Sequence, residues 1–528
     1  MKRREFNKLL LAGMAVPGME LLRNGMAYAQ TPAGGLISLL APEPPMLVLS
    51  LNQQQPTIVV GSKMFESLLD YDFDLTPRPQ LADSWEMSED GLTYTFHLVK
   101  NAKWHDGVPF TAHDVVFNCS VMLMEVHPRA RTIFERCESI VAADDHTVVF
   151  KLKEPFGPFI YAFEVDSAPM APKHIYEGTD YKNNPANEHP IGTGPFMFKE
   201  WARGSHIHLV ANPDYYRQGK PGLTEIFFRV VPDAASRSVA METGEAQLAG
   251  WNDVENFDVQ RLAAMPHLEF TTKGYEFASP LLWYECNLRK EPFNDLRFRK
   301  AMMHLLDRDF AVERIMFGLA APATGPIAST TKFFEPDLPR YEFSVEKANA
   351  ILDEMGLKKG ADGNRLTIRF LVVPAGEMWT RFAEYFRQAM AAGGIEVVLE
   401  TTDIAGWGQS IANWDYEVSN NMLYQLGDPA IGVARSYISS NIRKGILFTN
   451  TQGYQNAEVD RLFAEAAVQT SEAARQELYS KVQRILVEEL PVLWMTEQRY
   501  ATLHDKRIVD LIVSATGVNS NFASARYA

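Results

Sequence analysis

The chain has 528 residues, 46% of them hydrophobic and 22% charged, with a net charge of −15. A length several times that of one domain, with ordinary apolar content, implies two or three packed units with substantial cores rather than extended disorder. The acidic balance, without long runs of Lys or Arg, argues against nucleic acid or an anionic lipid surface as a partner.

The first residues, "MKRREFNKLLLAGMAVPGMELLRNGMAYAQ", join a basic start to a modestly apolar stretch and an Ala27-Tyr28-Ala29 cleavage pattern. Residues 1–29 therefore read as a cleavable signal peptide. Arg3-Arg4-Glu5-Phe6-Asn7-Lys8 resembles the twin-arginine export motif, departing from it at Lys2 and Asn7. No cysteine lies there, so a lipoprotein is not expected, and no later segment approaches the ~20 uninterrupted apolar residues of a membrane span. The chain is expected in the periplasm. Cys119, Cys137 and Cys286 leave open one disulfide plus a thiol, or three thiols.

Residues 36–60 read as a strand followed by a proline-rich extended loop, and Met64 to Tyr71 as a short helix. "LTYTFHLVK" alternates as a half-buried strand, and Thr111 is placed to cap a helix over "AHDVVF". "HTVVFKLKEP" is another strand, and "PIGTGPF" marks a sharp crossing between units. "LTIRFLVVPAG", "EMWTRFAEYFRQAMAAGG" and "IEVVLETT" form a β-α-β unit, hence parallel strands covered by a helix. Two helices follow within "NAEVDRLFAEAAVQTSEAARQELYSKVQRILVEEL"; Pro491 ends the second, and "VLWM" is a strand.

Enzyme signatures are missing. There is no Gly-x-Ser-x-Gly elbow, no His-Glu-x-x-His and no Walker loop, and Gly192 and Gly194 lack the third glycine of a dinucleotide loop. His105-Asp106 and His113-Asp114 read as turn and cap residues rather than metal ligands. No catalytic set, metal site or cofactor is expected.

From Pro79 to Phe117 the order Leu-Ala-x-Ser-Trp, Asp-Gly-x-x-Tyr-x-Phe, His-Asp-Gly-x-Pro-Phe and Ala-x-Asp-Val closely resembles the extracellular solute-binding proteins of family 5, the peptide and nickel group. "IGTGPF", "NPDYY", "EPFNDLRFRKAMMHLLDRD", "KANAILDEMG" and the closing "LYSKVQRILVEELPVLWM" follow in that family's order, so the resemblance spans roughly residues 36 to 500. It implies an α/β periplasmic-binding-protein fold (type II, cluster C-like) of two lobes joined by hinge strands, with an extra small domain. Lobe I would comprise 36–62, 191–278 and 495–528, the small domain 63–190, and lobe II 279–494, with hinges near 277–285 and 491–497. The implied role is the substrate-binding component of an ABC importer, a monomer that delivers a small solute or peptide to permease subunits at the inner membrane. A chaperone or signalling receptor on the same scaffold, or a hydrolase, is the alternative.

In peptide-binding relatives an aspartate three residues before the Asp of Asp-Pro pairs with the peptide amine; here that residue is Gln425. An arginine that holds the peptide carboxylate in dipeptide binders corresponds to Val373. Both charge clamps are missing, so an ordinary dipeptide is not the expected solute. The expected ligand-binding residues are Tyr424 and Gln425; Trp251, Trp283, Trp379 and Trp407 at strand ends and crossings; Glu285, at a position that faces the cavity in oligopeptide binders; and Asn252 and Glu43 at inter-lobe edges. Each tryptophan reads equally well as packing under a loop, and Asp428 reads as a turn residue.

Overall fold

The computed structural model describes residues 34–251 and 253–528, so the signal-peptide reading of residues 1–29 and the expectation for Asn252 lie outside the described residues. The first lobe is built on a seven-stranded sheet whose centre is the strand Gly35–Leu40. This strand pairs parallel with Glu225–Val230 on one side and with Leu248 on the other. All six of its residues are buried, which is why "GLISLL" runs apolar without strict alternation.

The second lobe is built on a six-stranded sheet. Its β-α-β unit is Leu366–Leu371, the helix Glu377–Ala392 and Ile395–Glu400, with the two strands parallel in the register Leu366↔Ile395. Phe382, Phe386, Ala389 and Met390 form the buried stripe of that helix, at the spacing a one-sided helix requires. Between the lobes' chain segments stands a small domain with a four-stranded antiparallel sheet. Tyr94, Phe96 and Leu98 point into its core while His97 is exposed, and Phe134, Phe150, Phe159 and Phe163 pack edge-to-face and tilted beneath it. The helix over Ala112–Phe117 begins directly after Thr111.

Two local expectations are corrected. The helix near residue 60 is Gln55–Gly61, with Pro56 in its first turn, and not Met64 to Tyr71. The later segment is pulled out of helix by tertiary hydrogen bonds: the Met64 carbonyl accepts from Gly194 N–H at 2.8 Å, and the Lys63 carbonyl from Phe196 N–H at 3.2 Å. Leu69–Tyr71 is instead a short strand. The lobe boundary at 495 also moves. Leu493–Gln498 is one strand of the second sheet, with Glu497 opposite Leu281, so the chain returns to the first lobe only over 499–501. The three cysteines are free thiols; Cys119 and Cys286 are buried.

Candidate functional site

A cavity of about 180 Å³ opens where the three bodies meet. The first lobe contributes Gln53, Gln55, Trp251 and Asn519, the crossing contributes Tyr275 and Phe277, the small domain Arg129, Glu164 and Asp166, and the second lobe Tyr424 and Leu426. Such convergence of a few polar groups on an aromatic wall is the usual make-up of a small-molecule site. Trp251 is held in the left-handed region, φ 49°, by its N–H donating to Tyr275 Oη at 3.0 Å. Its ring lies 5.0 Å from Tyr275, 6.2 Å from Tyr424 and 4.8 Å from Tyr500, a four-ring wall of tilted and edge contacts. Asn519 Oδ1 accepts from Gln55 Nε2 at 2.9 Å and from Trp251 Nε1 at 3.4 Å, fixing the polar floor.

The small-domain side is set by His127. Its Nδ1 accepts from Ala130 N–H at 3.2 Å, capping the helix Pro128–Phe134, and its Nε2 donates to the Asp166 carbonyl at 2.9 Å. One neutral tautomer satisfies both bonds, and burial, then the charge of Arg129, pushes its pKa down to about 4. The ring so ties the start of that helix, which carries Arg129, to Asp166, and Arg129 Nη1 pairs with Asp166 at 2.8 Å. Glu164 is held up to about 8 by burial and by the neighbouring Asp166 charge.

The expected site residues separate into groups. Trp251 and Tyr424 line the cavity. Trp379 lines a second inter-lobe hollow of about 120 Å³, opposite Phe257 of the first lobe. Gln425 does not face the cavity free: its Nε2 donates to the Pro326 carbonyl at 3.3 Å and its Oε1 accepts from Ala328 N–H at 3.4 Å, both inside the second lobe. Glu285 is buried and engaged by Tyr416 Oη (2.8 Å), Asn421 Nδ2 (2.9 Å), Thr451 Oγ1 (2.5 Å) and Trp283 Nε1 (3.4 Å). Trp283 is therefore tied into that internal network, and Trp407 donates to Ser419 Oγ at 3.0 Å while packing on Val373. Glu43 accepts from Trp201 Nε1 and Gly204 N–H at a hairpin of the first sheet, away from the cavity. Asp428 is a turn residue that caps Pro429–Gly432 and pairs with buried Arg475 at 2.7 Å.

Sequence reasoning missed Gln53, Gln55, Arg129, Asp166, Tyr275 and Asn519. The polar run "NQQQ" ahead of Pro56 was the one local signal; the others stand in stretches with no pattern of their own. The loop around Tyr424 is tied to the crossing, since Gln425 N–H donates to the Ala278 carbonyl at 2.7 Å and Gly427 N–H to that of Phe277 at 3.0 Å. Gly427 has φ 76°, and a Cβ there would lie 2.9 Å from the Phe277 ring.

Two sheet-built lobes joined by paired crossings around a polar and aromatic cavity define a hinged binding protein of the periplasmic-binding-protein type. The chain belongs to the bacterial extracellular solute-binding proteins, family 5, whose middle-region model matches residues 76–443. It is 28% identical over 457 residues to the oligopeptide-binding protein AppA of Bacillus subtilis, covering 83% of this chain and 81% of that protein. It is 26% identical to the probable D,D-dipeptide-binding periplasmic protein DdpA of Escherichia coli, covering 92% of each. Among solved structures, the ABC transporter substrate-binding protein CtaP of Listeria monocytogenes superposes with a TM-score of 0.82 at 23% identity, over 94% of this chain and 99% of that one.

Proposed function

We propose that this chain is the solute receptor of an ABC importer. It is exported by the twin-arginine route, freed of residues 1–29, and works as a monomer without a lipid anchor. The lobes comprise 36–62, 191–278 and 499–528, and 279–498, with 63–190 as the small domain. The observation that carries the reading is that one cavity draws its walls from both lobes, the small domain and a crossing segment. A solute touching all of them stabilises the closed arrangement more than the open one, and a ligand shifts an equilibrium only by such differential contact. The permease then reads the closed outline; the solute's covalent bonds stay intact.

An ordinary dipeptide is a poor match. Gln425 is uncharged and latched to Pro326 and Ala328, and Val373 is buried against Trp407, so neither end of a zwitterionic dipeptide meets its counter-charge at those positions. The test is a thermal-shift screen of the mature protein against dipeptides, oligopeptides, sugars, organic acids and nickel. A ligand at 100 times its Kd adds about 2.7 kcal/mol. Free dipeptides should give no shift; tight dipeptide binding overturns the solute reading, and absence of any stabilising compound overturns the receptor reading.

A further inference from the structure

One acid on the cavity wall has no counter-charge. The charged side chains that line the cavity are Arg129, Glu164 and Asp166. Arg129 Nη1 holds Asp166 at 2.8 Å, so those two charges answer one another. Glu164 is left over. It stands directly after the short helix Gly157–Phe163 of the small domain and is only 3% exposed. Its Oε2 accepts from Asp166 N–H at 2.9 Å and lies 3.5 Å from Ser167 Oγ. Its Oε1 has no hydrogen-bond donor among the described residues, so the cavity must supply one.

A second unpaired group stands behind it. Glu164, Thr516 and Asn519 line both the cavity and a polar recess of about 10 Å³, which has room for one water-sized group. Ser520 lines that recess too; it is 8% exposed and its Oγ has no partner. The charged side chains around the recess are already engaged. Lys63 spends its three N–H groups on Ser62 Oγ and on the Val518 and Ser520 carbonyls, at 2.9, 2.7 and 2.6 Å. Asp70 is held by Arg78 at 2.6 Å. A buried carboxyl oxygen and a buried hydroxyl thus lack partners at one place, a costly arrangement until a donor arrives.

We propose that Glu164 receives an ammonium of the solute, so that the transported compound is an organic amine without a free carboxylate, its apolar body lying against Trp251, Tyr275 and Tyr424. This rests on the receptor reading and narrows its solute class. An ammonium is a compact group with three N–H donors and no acceptor, which suits a water-sized recess whose open groups are Glu164 Oε1 and Ser520 Oγ. The ring faces of the cavity wall favour a cation over an anion. A solute carboxylate finds no spare charge, because Arg129 already answers Asp166. A metal ion is a poorer fit: among the described residues no three His, Cys, Asp or Glu side chains stand together.

The test titrates the mature protein calorimetrically with phenethylamine and tyramine, each against the matching alcohol and N-acetyl derivative, with phenylalanine, phenylacetate and nickel chloride as further arms. The amines should bind about tenfold or more tighter than the alcohols. Glu164→Gln, which keeps the size of the side chain, should erase that difference, and Glu164→Asp should keep part of it. The alcohols should bind the Glu164→Gln protein as they bind the parent; a merely structural carboxyl would weaken amines and alcohols alike. Equal binding of amine and alcohol, preference for phenylalanine, phenylacetate or nickel, or a Glu164→Gln protein that still discriminates or loses both classes equally overturns the proposal. If sugars or organic acids bind and compact the protein in solution scattering while amines do not, the amine proposal falls and the receptor stands. If nothing compacts it, both fall.

Discussion

At the scale of single residues, burial and partner count decide which polar groups hold the fold and which await a guest. Glu285 has donors on both oxygens, so it acts as a structural acceptor inside the second lobe. Glu285→Ala should leave Tyr416, Asn421 and Thr451 without their acceptor and cost about 3 kcal/mol or more in chemical denaturation, with solute selectivity unchanged; a switch in selectivity would move Glu285 into the site. Protons separate the other groups. Glu164 in the folded protein holds its proton to about 8, against 4.5 when unfolded. The folded state therefore binds more protons than the unfolded one across that window, and stability falls as pH rises through it. His105 and His127 act oppositely: both sit at about 4 instead of 6.5, so their contribution is complete above 6.5 and is lost as pH falls toward 4. Between 6.5 and 8 only the carboxyl of these three titrates. The melting temperature should decline there, and Glu164→Gln should flatten the decline; an unchanged slope in the variant would refute the assignment.

At the scale of elements, what could be read in the sequence is what is local. The β-α-β unit over 366–400 shows itself because its period changes from 2 to 3.6 and back within one stretch. The crossing at "PIGTGPF" is equally visible, and the structure supplies its reason. A Cβ on Gly192 would lie 1.9 Å from the Met64 carbonyl oxygen, and one on Gly194 2.6 Å from that of Lys63. Gly192→Ala must push two backbones apart and break the bond from Gly194 to Met64. We expect a loss of about 3 kcal/mol or more, comparable to severe overpacking, measured by urea unfolding; a neutral result would mean that this approach is not tight in solution. The same contact explains the misplaced helix after Met64, since its carbonyls answer to residues far along the chain. The cavity was illegible for a related reason. Gln53, Arg129, Tyr275 and Asn519 meet only after three bodies fold, and no window of sequence holds two of them. Tyr424, expected as the neighbour of Gln425, and Trp251, expected at a strand end, line the cavity, whereas Trp407 and Trp283, placed by the same pattern as Trp251, are buried inside the second lobe.

At the scale of the whole molecule, the crossings and the cavity share residues, which couples capture to closure. Tyr275 lies on one crossing and Tyr500 on the other, with rings 5.5 Å apart, and both rest on Trp251. Tyr275 Oη accepts from Trp251 N–H at 3.0 Å and bonds Thr502 Oγ1 at 2.8 Å, joining the start of the first-lobe return strand to the cavity wall. The loop carrying Tyr424 hangs from the crossing that carries Tyr275, through its backbone bonds to Phe277 and Ala278. A rotation about the crossings therefore moves Tyr424 relative to Trp251 and changes the width of the aromatic wall. Tyr275→Phe keeps the ring and removes the hydroxyl, leaving the Trp251 N–H and Thr502 without that partner. The loss of one such hydrogen bond, ~1 kcal/mol, acts on the geometry that every solute meets. Affinity should drop about fivefold for all solutes alike, with their rank order preserved, and the ligand-bound protein should remain partly open, its radius of gyration in X-ray scattering lying between the free and bound values of the parent. A variant that reorders solutes, or that closes fully on binding while losing affinity, would place Tyr275 in direct recognition and detach it from the hinge.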